Sequence, residues 1–293
     1  LVPWGVPVPG DPDHTVYGWF DALLNYLTAA GYPDEKRLSK TWPADVHVVG
    51  KEIVRFHAVI WPAMLMGLGL PLPRLVFGHG WWTVDGEKMS KSRGNIVDPH
   101  AIVDEFGSDA FRYVVLREMP FGHDGDFSRA RLLERYEVDL ADGLGNLASR
   151  LLRLVTQHAG GSWEDLVRGK AADGEAETPL TAARAALPGR VEAAFEPDRL
   201  AFHEALGAIW ELVSLGNQYI QHARPWETIK SDRPAAFRTL LHVGLILREV
   251  TAFAWPVLPR SMTALRAAMG LPLIDQQQGG EGLRTAGSPG WSD

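Results

Sequence analysis

Three short apolar runs read as strands: Val16–Phe20, Val46–Val49 and Leu75–Phe77. Between the second and third, Glu52 to Met66 carries apolar residues at helical spacing. That alternation predicts a parallel sheet with a crossover helix. Ligands in such sheets bind beyond the carboxyl ends of the strands, which directs attention to the residues just after each run. From about Pro99 onward the strand signal fades. Residues 99–117 predict two short helices divided by Gly107-Ser108, with Ser108 as the N-cap. Arg131 to His158 predicts a long helix, and polar, Gly-containing Gly160 to Pro179 a loop. Further helical patterns cover about 180–195, 198–222 and 234–255, and Pro256 and Pro259 mark a break. The Gln-, Gly- and Ser-rich end, Asp275 to Asp293, predicts disorder. The architecture expected is an α/β half-domain joined to an all-α helical bundle.

Composition limits what this architecture can do. The chain has 293 residues, 46% of them hydrophobic and 22% charged, which is enough for two domains with sizeable cores. It has no cysteine, so neither a disulfide scaffold nor a thiolate zinc site can form in it, as fits a cytoplasmic protein. A net charge of −7 argues against non-specific coating of nucleic acid while leaving room for a local basic surface. Leu1 to Gly10 has neither the basic start nor the apolar run of a signal peptide. The most apolar stretch, 58–73, is interrupted by Pro62, Gly67, Gly69 and Pro71, and it falls short of the ~20 residues of a membrane span. A soluble protein without a membrane partner is expected. The first residue is not Met and the pattern begins midway, so a missing N-terminus is expected too.

The most specific segment follows the third run. Val84 to Pro99 holds Lys88, Lys91 and Arg93 among serines and glycines, a composition that suits a polyphosphate. Lys88 and Lys91 can place ammonium groups on phosphate oxygens, and Ser90 and Ser92 offer hydroxyl donors. Gly86 and Gly94 let such a loop hinge over its ligand. Lysines that meet charge developing on a leaving pyrophosphate lower a barrier more than lysines that bind ground-state ATP. An arbitrary Lys-Ser loop would be a solvated basic turn. Here the string is Lys88-Met89-Ser90-Lys91-Ser92, and it resembles the signature loop of class I aminoacyl-tRNA synthetases.

The flanks narrow the resemblance to the methionyl-tRNA synthetase family, of the bacterial and mitochondrial type. They are Trp4 to Gly10, Val16 to Ala22, Gly50-Lys51-Glu52-Ile53, Phe56-His57-Ala58, Trp61-Pro62-Ala63 and Phe121 to Phe127. The resemblance implies the C-terminal half of a Rossmann-type nucleotide-binding domain over 1–127. A helical anticodon-binding bundle would cover 128–271, and a disordered tail 272–293. It implies a methionine–tRNA ligase that activates methionine with ATP, accompanied by Mg²⁺, and passes the acyl group to tRNA(Met), with no metal held by the protein. Trp19, Ala22, Tyr26, His57 and Trp61 would line the methionine pocket. Sulfur–aromatic contacts there contribute about 0.3–1.5 kcal/mol each. His57 and Trp61, four apart, would share a helix face. By residue type alone Trp19, Tyr26 and Trp61 would instead read as core. Gly50, Glu52, Lys88, Met89, Ser90, Lys91 and Ser92 would hold ATP, with Lys88 and Lys91 catalytic. Two positions depart from the family pattern: Gly18 for a β-branched residue and Glu52 for the usual Asp; Leu23 stands where some members have a proline and others a Leu.

In the bundle, Asn146 and Arg150 are four apart and project from one helix face. Asn can read a base edge, and Arg can bind phosphate or stack on a base. Pro225 is expected to break a helix and leave Trp226 exposed, where a base can stack on it. The resemblance implies that Asn146, Arg150 and Trp226 contact the anticodon. The family's second signature, His-x-Gly-His, does not occur in these residues. A chain of this extent alone is therefore expected to make no adenylate. A non-catalytic tRNA-binding fragment, or a class I synthetase for another amino acid, are the alternatives.

Overall fold

The computed structural model describes residues 5–84, 86–89, 96–160 and 179–274. The chain divides into two compact units, one of residues 1–81 with 122–124 and one of 82–121 with 125–293.

In the first unit, β1 (Pro7–Val8) pairs antiparallel with β2 (Asp11–Thr15). The predicted strand Val16–Phe20 is absent. The strand ends at Thr15, and helix α1 (Gly18–Leu23) has begun by Gly18. The helical period wins here for a physical reason. Tyr17 and Phe20 have no sheet neighbour and stay exposed, whereas Leu23 and Leu27, four apart, are buried. Helix α2 (Asn25–Ala30) stops at Gly31, whose φ of 101° forms the left-handed C-cap. Helix α3 (Glu35–Leu38) starts on Asp34, whose carboxylate accepts from the amides of Lys36 and Arg37.

The other two predicted strands are present as β3 (Val46–Gly50) and β4 (Leu75–His79). They pair in parallel, with Val46 opposite Leu75 and Gly50 opposite His79. Between them runs the predicted helical segment, as a 3-10 turn (Lys51–Ile53), a π-helical stretch (Phe56–Ile60) and α4 (Trp61–Gly67). Leu23, Leu27, Trp42, Trp61 and Leu65 form this unit's core.

The second unit opens with a three-stranded sheet. Its central β5 (Trp82–Val84) pairs antiparallel with β6 (Glu87–Lys88) and in parallel with β7 (Gly125–Asp126). Helices α5 (Pro99–Phe106) and α6 (Ser108–Arg117) match the two predicted, but the cap differs. Gly107 is the N-cap, at φ 83°, and Ser108 is already the first helical residue, with no side-chain cap bond. The turn needs a positive φ, which glycine adopts at no steric cost.

The predicted helix Arg131–His158 is continuous but not uniform: α7 (Arg129–Arg135), a π-helical stretch (Tyr136–Gly145) and α8 (Asn146–His158). Then follow α9 (Pro179–Phe195), α10 (Phe202–Ala223), α11 (Pro225–Thr228), α12 (Arg233–Phe253) and α13 (Pro259–Ala268). The predicted break at Pro256 and Pro259 is also a start. Pro259 opens α13, where a proline's missing N–H has no helical partner to lose. Of the predicted loop Gly160 to Pro179, Gly160 turns at φ 70° after α8 and Pro179 already opens α9, while residues 161–178 and the predicted disordered segment 275–293 lie outside the described residues. The helices close on one core, with Leu147, Leu151, Ile209, Leu240, Val243 and Leu247 almost fully buried.

Candidate functional site

The pleat of β3 decides what enters the first unit's interior. Val48 points outward and is 53% exposed, while His47 and Val49 on the opposite face are buried. His47 therefore lies among rings: Tyr26 at 4.5 Å between centroids, Trp42 at 6.0 Å and His57 at 6.0 Å. The indole N–H of Trp61 donates to Nε2 of His47 at 3.2 Å. Burial holds the His47 imidazole below its ordinary pKa, and the neighbouring His57 adds to the effect.

Hydrogen bonding also fixes the second histidine. His57 Nδ1 lies 2.9 Å from the carbonyl oxygen of Ile53, which can only accept, so Nδ1 carries the proton. In the neutral ring Nε2 accepts from the Tyr26 hydroxyl at 2.9 Å. Tyr26 also meets the His57 ring at 5.7 Å and the Trp61 ring at 5.8 Å. Tyr26, His57 and Trp61 are thus brought together, with Trp61 and His57 shut off from solvent. Trp19 makes a different contact, stacking on Phe56 at 4.7 Å with planes 13° apart. Ala22 is exposed on α1.

A polar cluster forms at the carboxyl ends of β3 and β4. Lys51 Nζ donates to both carboxylate oxygens of Asp124, at 2.6 and 2.5 Å. It also stands 4.2 Å above the Trp81 ring. The Trp81 amide donates to Asp124 at 2.8 Å, and its indole N–H donates to Glu52 at 2.7 Å. These donors, Lys51 foremost and then the Trp81 amide, hold the Asp124 carboxyl below its ordinary pKa. Gly50 permits the arrangement, since a Cβ there would stand 2.7 Å from Oε2 of Glu52. The result is an ordered, solvent-facing set of one cation, two carboxylates and an indole where α/β sheets take up ligands.

In the second unit the root of the Lys-Met-Ser-Lys-Ser segment is pinned by Asp126. Its Oδ1 accepts from the Thr83 hydroxyl at 2.7 Å and from the amide of Gly86 at 2.9 Å. Gly86 turns the hairpin at φ 73°. The Lys88 backbone closes β6, and Met89 packs partly buried against the helical core. Ser90, Lys91 and Ser92 lie outside the described residues.

Asn146 opens α8, and Arg150, one turn on, donates to Oε1 of Gln221 at 3.1 Å. Gln221 belongs to the last turn of α10, which Arg224 ends at φ 44° before Pro225 starts α11. The predicted break at Pro225 is present, but Trp226 is not exposed as expected. It is half-buried, because the short α11 lays its ring against the bundle core. Among the described residues no group of three His, Cys, Asp or Glu could hold a metal ion, and no helix is long and apolar enough to cross a membrane.

Residues 1–152 match the family model of tRNA synthetases class I (M), and residues 170–281 match that of the anticodon binding domain of methionyl tRNA ligase. The chain belongs to the class I tRNA synthetases of the methionine type. Among similar relatives, the methionine–tRNA ligase of Caldanaerobacter subterraneus is 46% identical over 272 residues, 92% of this chain and 42% of that protein. That of a Nostoc species is 42% identical over 281 residues, 94% of this chain and 52% of that protein. Mycobacterium tuberculosis methionyl-tRNA synthetase in complex with methionyl-adenylate aligns with a TM-score of 0.80 at 40% identity, over 97% of this chain and 55% of that one. The chain therefore spans about half the length of the relatives it matches. Its fold is part of a class I catalytic domain followed by a helical anticodon-binding domain.

Two features of this synthetase chain escaped the sequence. Lys51 and Asp124 lie 73 residues apart, and no local pattern couples them. His47 carried a usable signal, since it shares the inward face of β3 with Val49, where a polar residue needs a partner.

Proposed function

We propose that this chain is part of a methionine–tRNA ligase of the cytoplasm, acting on methionine, ATP with Mg²⁺, and tRNA(Met). The observation that carries the reading is the Tyr26–His57–Trp61 cluster, whose rings are fixed by directional hydrogen bonds inside a chain of this family. A thioether is apolar and polarizable, and aromatic walls bind it well. The family likeness assigns Trp19 and Ala22 of α1 to the same wall.

In the reaction, the methionine carboxylate attacks the α-phosphorus of ATP, and the bond to the β-phosphate oxygen breaks to release pyrophosphate. A tRNA 3′-terminal hydroxyl then attacks the acyl carbon, and AMP leaves. Lys88 and Lys91 act on the charge that gathers on the departing pyrophosphate, with Met89, Ser90 and Ser92 shaping the loop around it. Gly50 and Glu52, at the carboxyl end of β3, serve the nucleotide. Asn146, Arg150 and Trp226 read the anticodon, and the functional division falls at about 1–127 for catalysis and 128–271 for tRNA.

Methionine-dependent ATP–pyrophosphate exchange by the full gene product tests the reading. Exchange that Tyr26→Phe and His57→Ala weaken through the KM for methionine is expected. Exchange driven by another amino acid instead would overturn it. The 293-residue chain alone is expected to give none.

A further inference from the structure

We propose that His47, outside the pocket residues named above, is a positioning residue that sets the orientation of the Trp61 indole. The chemistry of the contact is one-directional. An indole N–H can only donate, so at 3.2 Å the Nε2 atom of His47 must be the acceptor, and the ring's proton sits on Nδ1. A doubly protonated His47, or the opposite tautomer, would face Trp61 with two donors. Trp61 is wholly buried, so its N–H has no water to turn to if this acceptor is lost.

Aromatic rings surround the imidazole. Tyr26 lies across one side at 4.5 Å, and His57 and Trp42 close on it at 6.0 Å each. Trp42 is itself anchored through its N–H to the carbonyl oxygen of Pro71 at 2.9 Å, and it meets Trp61 edge-on at 5.9 Å. Two histidines thus serve the cluster as acceptors: His57 accepts a hydrogen bond from the Tyr26 hydroxyl and His47 one from the Trp61 indole N–H. Both need their Nδ1–H tautomers. With the donors committed inward, any face of these rings that opens to a ligand would present carbon rather than polar hydrogens, which suits an unbranched thioether. This last step rests on the function proposed above; the His47–Trp61 bond does not.

Three measurements test it. First, ring-nitrogen NMR of His47 in the 293-residue chain is expected to report the neutral Nδ1–H tautomer, and an Nε2–H tautomer overturns the proposal. Second, the Trp61 indole N–H resonance, assigned through Trp61→Phe, is expected to move in His47→Leu and to return towards the wild-type position in His47→Gln, whose side-chain oxygen can accept in place of Nε2. An unmoved resonance in His47→Leu overturns it. Third, in the full gene product His47→Leu is expected to raise the KM for methionine about tenfold, the scale of one lost buried hydrogen bond. The kcat and the KM for ATP should hold, and His47→Gln should recover most of the loss. A shifted indole with an unchanged methionine KM sinks the positioning role. A wild-type protein that ignores methionine sinks the proposed function instead, and the two NMR readouts still decide the His47–Trp61 bond.

Discussion

Lys51 Nζ lies 2.5 Å from Oδ2 of Asp124, an ion pair between residues 73 apart in sequence at the carboxyl end of the parallel strand pair. Asp124 does more than balance charge. By also accepting from the Trp81 amide it fixes the indole that holds Glu52, so one carboxylate orders three neighbours. Exposed ion pairs contribute little to stability, because water screens them. Asp124→Asn should therefore leave the melting temperature unchanged and act on ligand handling. The KM for ATP should rise roughly fivefold, the scale of one exposed ionic contact, while the KM for methionine stays fixed. Steady-state exchange kinetics on the full gene product distinguish this from general damage, which would raise both.

Gly80 is required by contact rather than by backbone angle. A Cβ there would collide with the backbone carbonyl of His123, which cannot swing aside as a side chain could. Gly80→Ala should cost roughly 1–3 kcal/mol, as overpacking does. Gly189 is the control: it sits exposed in α9 with open space around its missing side chain. Gly189→Ala should stabilise by roughly 0.5–1 kcal/mol through the usual helix preference. Urea titrations of both variants check the pair, and similar midpoints for the two would refute the assignment.

A cap supplied from elsewhere in the chain ties α13 to α6. Asp109, buried in the first turn of α6, accepts from the Ser261 amide at 2.7 Å near the start of α13. That amide has no partner within its own helix, and the carboxylate also opposes the positive end of the helix dipole. Asp109→Ala should cost about 1–2 kcal/mol, and Asp109→Asn, which keeps an acceptor, distinctly less. Equal losses in denaturant midpoint would show that the oxygen is not what matters.

Periodicity made most of the fold legible. β3, β4 and the helical segment between them, and five of the bundle's helices, follow from runs of apolar residues at spacing two or near 3.6. Val16–Phe20 misled because five residues with four large hydrophobic side chains satisfy either period. Only burial of Leu23 and Leu27 decides for the helix. The start of α13 was hidden because proline both ends helices and begins them. For the site, the five residues proposed for the pocket came from family likeness, and the structure brings Tyr26, His57 and Trp61 together. The long-range pairings were not legible, since Trp61 to His47 and Lys51 to Asp124 are set by strand pairing and chain return rather than by nearby sequence.

Half-burial of Trp226 changes what its removal should do. The ring packs on the bundle core, so Trp226→Ala loses apolar contact as well as any base stacked on its open face. tRNA affinity should fall by about 1–3 kcal/mol, the worth of one stacked base, with a lowered melting temperature alongside. Trp226→Phe should restore most of the stability and part of the affinity. Filter-binding titrations with tRNA(Met) check this, and full affinity in Trp226→Ala would remove Trp226 from the RNA surface.

Stability should also report the state of His47. In the unfolded chain its imidazole takes a proton at the ordinary pKa of 6.5, whereas in the fold burial, and secondarily His57, push that value down. Between the two values the unfolded state holds the extra proton, so acid favours unfolding through that window. The contribution is full above the unfolded pKa and is lost as pH falls through the lowered folded one. Urea midpoints followed by tryptophan fluorescence from about pH 7.5 to about pH 5 should therefore decline in the wild type. The chain has ten histidines, so the informative quantity is the difference between proteins. His47→Gln cannot titrate there, and its midpoint should fall less steeply over the same range. Parallel slopes would mean that His47 is as easily protonated in the fold as outside it, which its bond to the Trp61 indole does not allow.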